Sequence, residues 1–163
     1  MKSLKMRVCS GAVVVMYATL CSTAFAATIA PAGTSFSAPG TFVLTTPNIA
    51  NLSCGMTLSG VVSSDGSYAQ VNSAVVTPHT SLCGIVQVSG LPWKVVATST
   101  TTVSVANMGF NLVSPFSGCA PLAINGRWNN ATGTLSAVNQ PLGGNCTLNS
   151  LSVTPGPTLT ISP

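Results

Sequence analysis

The chain contains one short pattern twice, and this repeat constrains its fold more than any other feature. The stretch "CGMTLSGVVSSDGSYAQVN" begins at Cys54, and "CAPLAINGRWNNATGTLSAVN" begins at Cys119. Each copy starts with a cysteine, has a glycine six or seven residues later, turns at a further glycine and ends on Val-Asn. Apolar residues recur at about every second position, which is the period of a half-buried β-strand. The repeat therefore predicts two related β-units packed face to face.

Alternating runs with turn residues between them continue along the rest of the chain. Asp65-Gly66 and "NNATG" are typical of hairpin turns. Gly60 and Gly126 lie inside strands, where glycine often marks a bend or a close backbone approach. We expect an all-β domain of about nine to ten short strands, a β-sandwich or a barrel-like closed sheet. The faces predicted to be buried are Met56, Leu58 and Val62 in the first unit and Leu122, Ile124 and Trp128 in the second.

These patterns divide the chain into three parts. Residues 1–26 are a predicted secretory signal peptide, because a basic head and a short apolar run precede small residues at Ala24 and Ala26. Residues 27–39 are expected to form an extended arm. Residues 40–163 are expected to form the single all-β domain, with its internal repeat at about 54–98 and 119–163. No later segment has the length and apolar character of a transmembrane helix.

Four cysteines remain after the signal peptide: Cys54, Cys83, Cys119 and Cys146. In an exported chain four cysteines imply two disulfides, for which three connectivities exist. Each copy of the repeat has a cysteine at its head and another downstream. The simplest interpretation pairs Cys54 with Cys83 and Cys119 with Cys146.

Charge excludes several classes of function. The formal net charge of +4 comes mostly from the signal peptide, because the remaining chain has only Lys94, Arg127 and Asp65, with His79. The polarity of this part comes from Ser, Thr and Asn. Without a basic patch, binding to nucleic acid or electrostatic binding to a membrane is not expected.

The residue types needed for catalysis are almost missing. His79 and Asp65 lie in separate turn-like stretches, and a hydrolytic triad needs a base held by an acid. One acidic residue cannot supply the paired carboxylates of a glycosidase or the ligands of a calcium site. The cysteines are too widely spaced for structural zinc. We therefore predict a non-enzymatic protein with no catalytic residues, metal or cofactor.

Three apolar residues lie in loop contexts: Leu91 and Trp93 in "GLPW" and Phe116 in "SPFSG". They are expected either to be buried at the rim of the fold or to form an exposed apolar patch. An exposed patch of this kind usually marks an interaction surface.

Several stretches together resemble a known family. The opening "MKSLK" with "STAFAA", the segments "LPWKVVATSTTT" and "RWNNATGTL", the four cysteines and the final "LTISP" are similar to the bacterial activators of alkane oxidation, the PraB-like proteins. The resemblance covers essentially the whole chain, and it identifies no catalytic residues.

The resemblance implies a protein secreted by a Gram-negative bacterium, located outside the cell or on its surface, that promotes uptake or emulsification of long-chain hydrocarbons. Hydrocarbon droplets or another hydrophobic surface would be its partner. The alternative hypothesis is a self-assembling fibre, biofilm-matrix or surface subunit. In that case the terminal segments "ATIAPAG" and "PTLTISP" would pair with the open sheet edge of a neighbour, because few charges protect the edges.

Overall fold

The computed structural model describes residues 27–78 and 80–163, and this part of the protein is built almost entirely from β-strands. The predicted signal peptide and His79 lie outside the described residues. The predicted all-β class is confirmed. The elements are β1 (Thr28–Ala30), β2 (Ser35–Thr45), β3 (Leu52–Val62), β4 (Ala69–Thr77), a 3-10 helix (Ser81–Ile85), β5 (Val86–Ser89), β6 (Trp93–Ala97), β7 (Thr102–Leu112), β8 (Cys119–Asn129), β9 (Thr134–Leu142), β10 (Cys146–Val153) and β11 (Thr160–Ser162).

Eight of these strands form a closed antiparallel barrel. Around the ring the order is β7, β6, β4, β3, β2, β10, β9 and β8, and β8 pairs with β7 to complete the closure. The extra strand β5 pairs with the second half of β7, beyond the part that pairs with β6. A barrel of eight strands is just wide enough for side chains to fill its interior. Closure therefore gives the alternating apolar residues a common core.

The two similar hairpins lie on opposite sides of this ring. The β3–β4 hairpin carries the first copy of the sequence pattern, and the β8–β9 hairpin carries the second. Strand lengths agree in pairs: β2 and β7 have 11 residues each, β3 and β8 have 11, and β4 and β9 have 9. This arrangement is what two related units in one barrel would produce, and the internal repeat stays a prediction.

Aromatic side chains fill the centre of the barrel. The rings of Phe42 on β2 and Phe110 on β7 are stacked with their centroids 5.0 Å apart. Trp93 on β6 meets Phe110 edge-on, with the ring centroids 6.3 Å apart. All three side chains are fully buried. Such offset and edge-to-face pairs are the preferred geometries of aromatic rings.

Both disulfides lie toward one end of the barrel, which we call the disulfide end. Cys54 on β3 is bonded to Cys83 in the 3-10 helix, and Cys119 on β8 is bonded to Cys146 at the start of β10. The pairing within each copy of the repeat is thus confirmed. Each bond closes a loop within one half of the chain, so neither links the two hairpins to each other.

The first and last strands of the described chain close the opposite end. Strands β1 and β11 pair antiparallel with each other, Ile29 opposite Ile161, and form a separate two-stranded sheet. We call this sheet the lid, and this end of the barrel the lid end. In the lid the two segments proposed for self-association pair with each other within one chain, and pairing with a neighbouring molecule stays a hypothesis.

Two further sequence predictions are wrong in detail. Strand β2 begins at Ser35 and continues through Pro39 and Gly40, so the boundary at residue 40 divides a strand and the predicted arm belongs to the fold. The alternating pattern predicts that Leu122 is buried, but 46% of its surface is exposed. The β7–β8 register shifts on both sides of the Met108–Leu122 pair, and the second shift places an extra residue in β8 between Cys119 and Leu122, which interrupts the side-chain alternation of this strand.

Candidate apolar site

A cavity of about 50 Å³ lies between the lid and the interior of the barrel. Its wall has no polar surface, because every contributing side chain is apolar. The lid and the segment that leads to it supply Ile29, Pro155, Leu159 and Ile161. The barrel supplies Phe36, Ala38, Leu58, Ala69, Val71, Val95, Val103, Trp128, Leu135 and Val153.

The side chain of Asn130, in the β8–β9 turn, connects the lid to the barrel. Its Nδ2 donates to the carbonyl oxygen of Ile161 at 2.8 Å, and its Oδ1 accepts from the backbone N–H of Ile161, also at 2.8 Å. The same Oδ1 accepts from Nε1 of Trp128 at 2.7 Å. The amide thus bonds both backbone groups of one lid residue while it orients the indole beneath the lid. The sequence pattern places Asn130 only in a turn.

Few other hydrogen bonds hold the lid in place. The backbone N–H of Ile29 donates to the carbonyl of Gly66, in the β3–β4 turn, at 2.7 Å. The segment before β11 is held by reciprocal backbone bonds between Ser37 and Gly156, at 3.0 and 2.7 Å. At the outer surface of the lid the hydroxyls of Thr28 and Ser162 are 3.1 Å apart. Apolar packing of the lid against the barrel supplements these few bonds.

The cavity is small for a ligand while the lid is closed. An apolar protein cavity of about 150 Å³ is large enough to bind benzene, whereas the space beneath the lid is about 50 Å³. The closed protein therefore has an apolar cavity that is too small for a ligand of that size.

The outer surface carries three charged side chains among the described residues: Asp65, Lys94 and Arg127. The hydroxyl of Ser63, followed by the backbone N–H and hydroxyl of Ser67, lowers the pKa of Asp65 to about 2. Through these contacts the carboxylate of Asp65 links residues on both sides of the β3–β4 turn. The ammonium of Lys94 lies 4.5 Å from the ring centroid of Tyr68, a cation–π contact.

The predicted apolar patch is wrong for Trp93. Its side chain is fully buried, and its Nε1 donates to the carbonyl of Ser89 at 2.9 Å. Leu91 is partly buried against the core, and Phe116 is partly exposed in the loop between β7 and β8. Trp93 is buried because β6 enters the barrel wall directly after the "GLP" loop, with Trp93 as its first residue.

The large apolar side chains that are exposed lie on different elements. Val75 is on β4, Leu122 on β8 and Val138 on β9, while Leu82 is in the 3-10 helix and Val113 follows β7. Single exposed apolar residues are normal on protein surfaces. These five side chains therefore do not by themselves indicate an interaction surface.

Among the described residues, no three His, Cys, Asp or Glu side chains come together as metal ligands would. His79, one of the two residues considered for a triad, lies outside this part of the chain. Asp65, the other, accepts three hydrogen bonds from Ser63 and Ser67 at its Oδ1.

The family model described as "Alkane oxidation protein activator PraA/PraB-like" matches residues 1–163 of the chain. The chain belongs to this family. The resemblance seen in the sequence is thus confirmed over its full extent. No match was found among the curated proteins or among the solved structures.

No helix in the part of the chain that the structure describes has the length and apolar character needed to cross a membrane.

Proposed function

We propose that this protein is an exported, non-enzymatic accessory protein that promotes the uptake or emulsification of long-chain hydrocarbons by acting at the oil–water interface. The observation that carries the proposal is the nearly uncharged outer surface of a barrel that belongs to a family of alkane oxidation activators. The name of the family supports an accessory role, since an activator assists a reaction that another protein performs.

The physical argument concerns the cost of bringing a protein surface to oil. Removing an ion from water costs far more free energy than removing a neutral group that keeps its hydrogen bonds. The outward faces of β2 and β9 present residues such as Ser37, Thr41, Ser136 and Gln140, and the described surface has three charges in all. The hydroxyl and amide groups of such a surface are hydrated in water, and the free-energy cost of moving the surface to an oil–water interface is small.

The disulfides support a location outside the cytoplasm, because such bonds form and persist in oxidising compartments. They also suit a protein that must keep its fold at an interface, where apolar solvent favours unfolding. This argument agrees with the predicted signal peptide at residues 1–26.

The test is the interfacial tension of a hexadecane drop in water containing the purified protein. The protein is expected to lower the tension by a similar amount from about 0.01 to 1 M salt, because screening has few charges to act on. Replacing the exposed Val75 and Val138 by lysine should weaken the effect, and replacing both by threonine is the matched neutral control.

A biological assay complements the physical one. Protein added to a deletion strain is expected to restore growth on hexadecane, and growth on a soluble carbon source should be unaffected. If the protein neither lowers the interfacial tension nor restores growth, the proposed function is wrong.

A further inference from the structure

The closed barrel covers most of its apolar residues, yet a protein that acts on oil must present apolar surface to it. We propose that the lid separates from the barrel at an oil–water interface, and that the apolar site beneath it then binds the end of a single aliphatic chain. This inference rests on the proposed function and specifies where the contact with hydrocarbon occurs.

The lid can leave without breaking the barrel. Strands β1 and β11 have three residues each and form their strand ladder only with each other, whereas all eight barrel strands are paired within the ring. The disulfide end differs, because two covalent bonds hold its loops and strands together. Opening at the lid end is therefore the change that exposes apolar surface with the fewest interactions lost.

Oil also removes the main reason for the lid to stay closed. In water, the lid side chains Ile29 and Ile161, and Leu159 just before β11, are buried and gain hydrophobic stabilisation by leaving the solvent. At an oil surface these side chains are in an apolar environment whether the lid is open or closed, so the gain largely disappears. The hydrogen bonds of Asn130 and Ile29 then remain as the principal contacts that hold the lid.

The chemistry of the site selects its ligand. Its wall has no polar surface, so it offers no partner for a polar head group. The interior of an eight-stranded barrel accommodates at most one small ligand besides its side chains. If the lid departs together with Leu159, the space that Ile29, Leu159 and Ile161 occupy joins the cavity. An aliphatic chain end fits this description, and a charged or hydroxylated group does not.

The two tryptophans allow the lid end and the centre of the barrel to be observed separately. Trp128 lines the cavity beneath the lid, and Trp93 is fully buried among the central aromatic rings. The variant Trp93→Phe keeps only the indole beneath the lid, and Trp128→Phe keeps only the central one. Emission of each variant would be measured with droplets of 1-bromododecane, whose bromine quenches indoles on contact, and with dodecane as the quencher-free control.

The expected result is loss of most Trp128 emission with the brominated oil and retention of Trp93 emission. If Trp93→Phe fails to fold, wild-type protein labelled with 5-fluorotryptophan gives the same comparison. Its two fluorine resonances are assigned with Trp128→Phe, and only the Trp128 resonance should respond to the oil.

Asn130 supplies a second, independent test. Asn130→Ala removes all three hydrogen bonds, and Asn130→Asp keeps an acceptor but loses the donor to Ile161. Both variants should show faster amide hydrogen exchange at Ile29 and Ile161 in water and stronger quenching of Trp128 by brominated oil. Thr134→Ala is the matched control, because Thr134 lies at the same end and its hydroxyl contacts Thr154, outside the lid.

Several results would overturn the inference. Quenching of Trp93 without Trp128 would place the contact at the wrong part of the barrel, and equal quenching of both would indicate general unfolding at the interface. Quenching of neither, with interfacial tension still lowered, would reject the lid and leave the proposed function standing. Absence of both effects would reject the lid and the interfacial role together.

Discussion

The two disulfides offer the most quantitative test of how this fold is stabilised. They close loops of nearly equal length, with sequence separations of 29 for Cys54–Cys83 and 27 for Cys119–Cys146. In the chain-entropy model each bond removes about 12 cal/mol/K of entropy from the unfolded chain, which corresponds to about 3.6 kcal/mol at room temperature. The model predicts a difference of only about 0.1 kcal/mol between the two bonds.

The perturbation is replacement of each pair by alanine, giving Cys54→Ala/Cys83→Ala and Cys119→Ala/Cys146→Ala. All four cysteines are buried, so both variants leave similar small voids and the comparison between them remains balanced. The free energy of unfolding of a domain of this kind is roughly 5–15 kcal/mol. Each variant should therefore lose about a quarter of this free energy or more. With a slope near 2 kcal/mol/M, the urea midpoint should fall by about 2 M.

The assay is equilibrium unfolding in urea, followed by the emission of Trp93 and Trp128 and by circular dichroism. Coincident transitions would support two-state analysis. A difference of more than about 1 kcal/mol between the variants would refute the reasoning, because loop length would then not be the main source of the stabilisation. Amide hydrogen exchange in the 3-10 helix (Ser81–Ile85) should differ between the two variants. Exchange there should become faster without Cys54–Cys83, which holds this helix, and should stay slow without Cys119–Cys146.

Two further predictions concern the β3–β4 hairpin. Gly60→Ala should lower the free energy of unfolding in urea by about 3 kcal/mol or more, because the new methyl group would collide with the fixed backbone carbonyl of Gln70. Gly126→Ala should lower it by only about 1–2 kcal/mol, because its methyl group would meet the movable Leu135 side chain, 2.8 Å away. Equal losses would contradict this reasoning. The hydrogen bonds that lower the pKa of Asp65 to about 2 stabilise the folded state above the ordinary pKa of 3.8, and this contribution is lost as the pH falls from about 4 to 2. Asp65→Asn should remove this dependence, and a loss in the wild type that began near pH 6 would require another group.

Much of the barrel could be predicted because its strands have a local signature. Phe42, Met56, Leu58 and Val62 are all buried as the period of two requires. Pairing of the cysteines could be predicted as well, because the repeat places one cysteine at the head of each unit and its partner downstream. The exposure of Leu122 could not, because a register shift depends on how β7 and β8 fit together around the ring.

The candidate site was largely beyond prediction. Asn130 is visible in the sequence only as part of a turn, since its bonds to Ile161 join residues 31 positions apart. The sequence around Trp93 indicates a loop context and leaves burial at the rim and an exposed patch as alternatives. Its burial depends on the entry of β6 into the barrel wall, which the "GLPW" stretch alone does not reveal.

The amino-acid sequence alone determined the all-β class, the disulfide partners and the scarcity of charge, because alternation, cysteine position and composition act within short stretches or through simple counts. Closure of the eight strands into a ring, and the pairing of the first and last described strands as a cover for one end, were decided only by the tertiary structure. Each of these depends on contacts between segments distant in the chain. The lid strands are three residues long and have no stable structure of their own, so their place is set by the apolar barrel end that they cover.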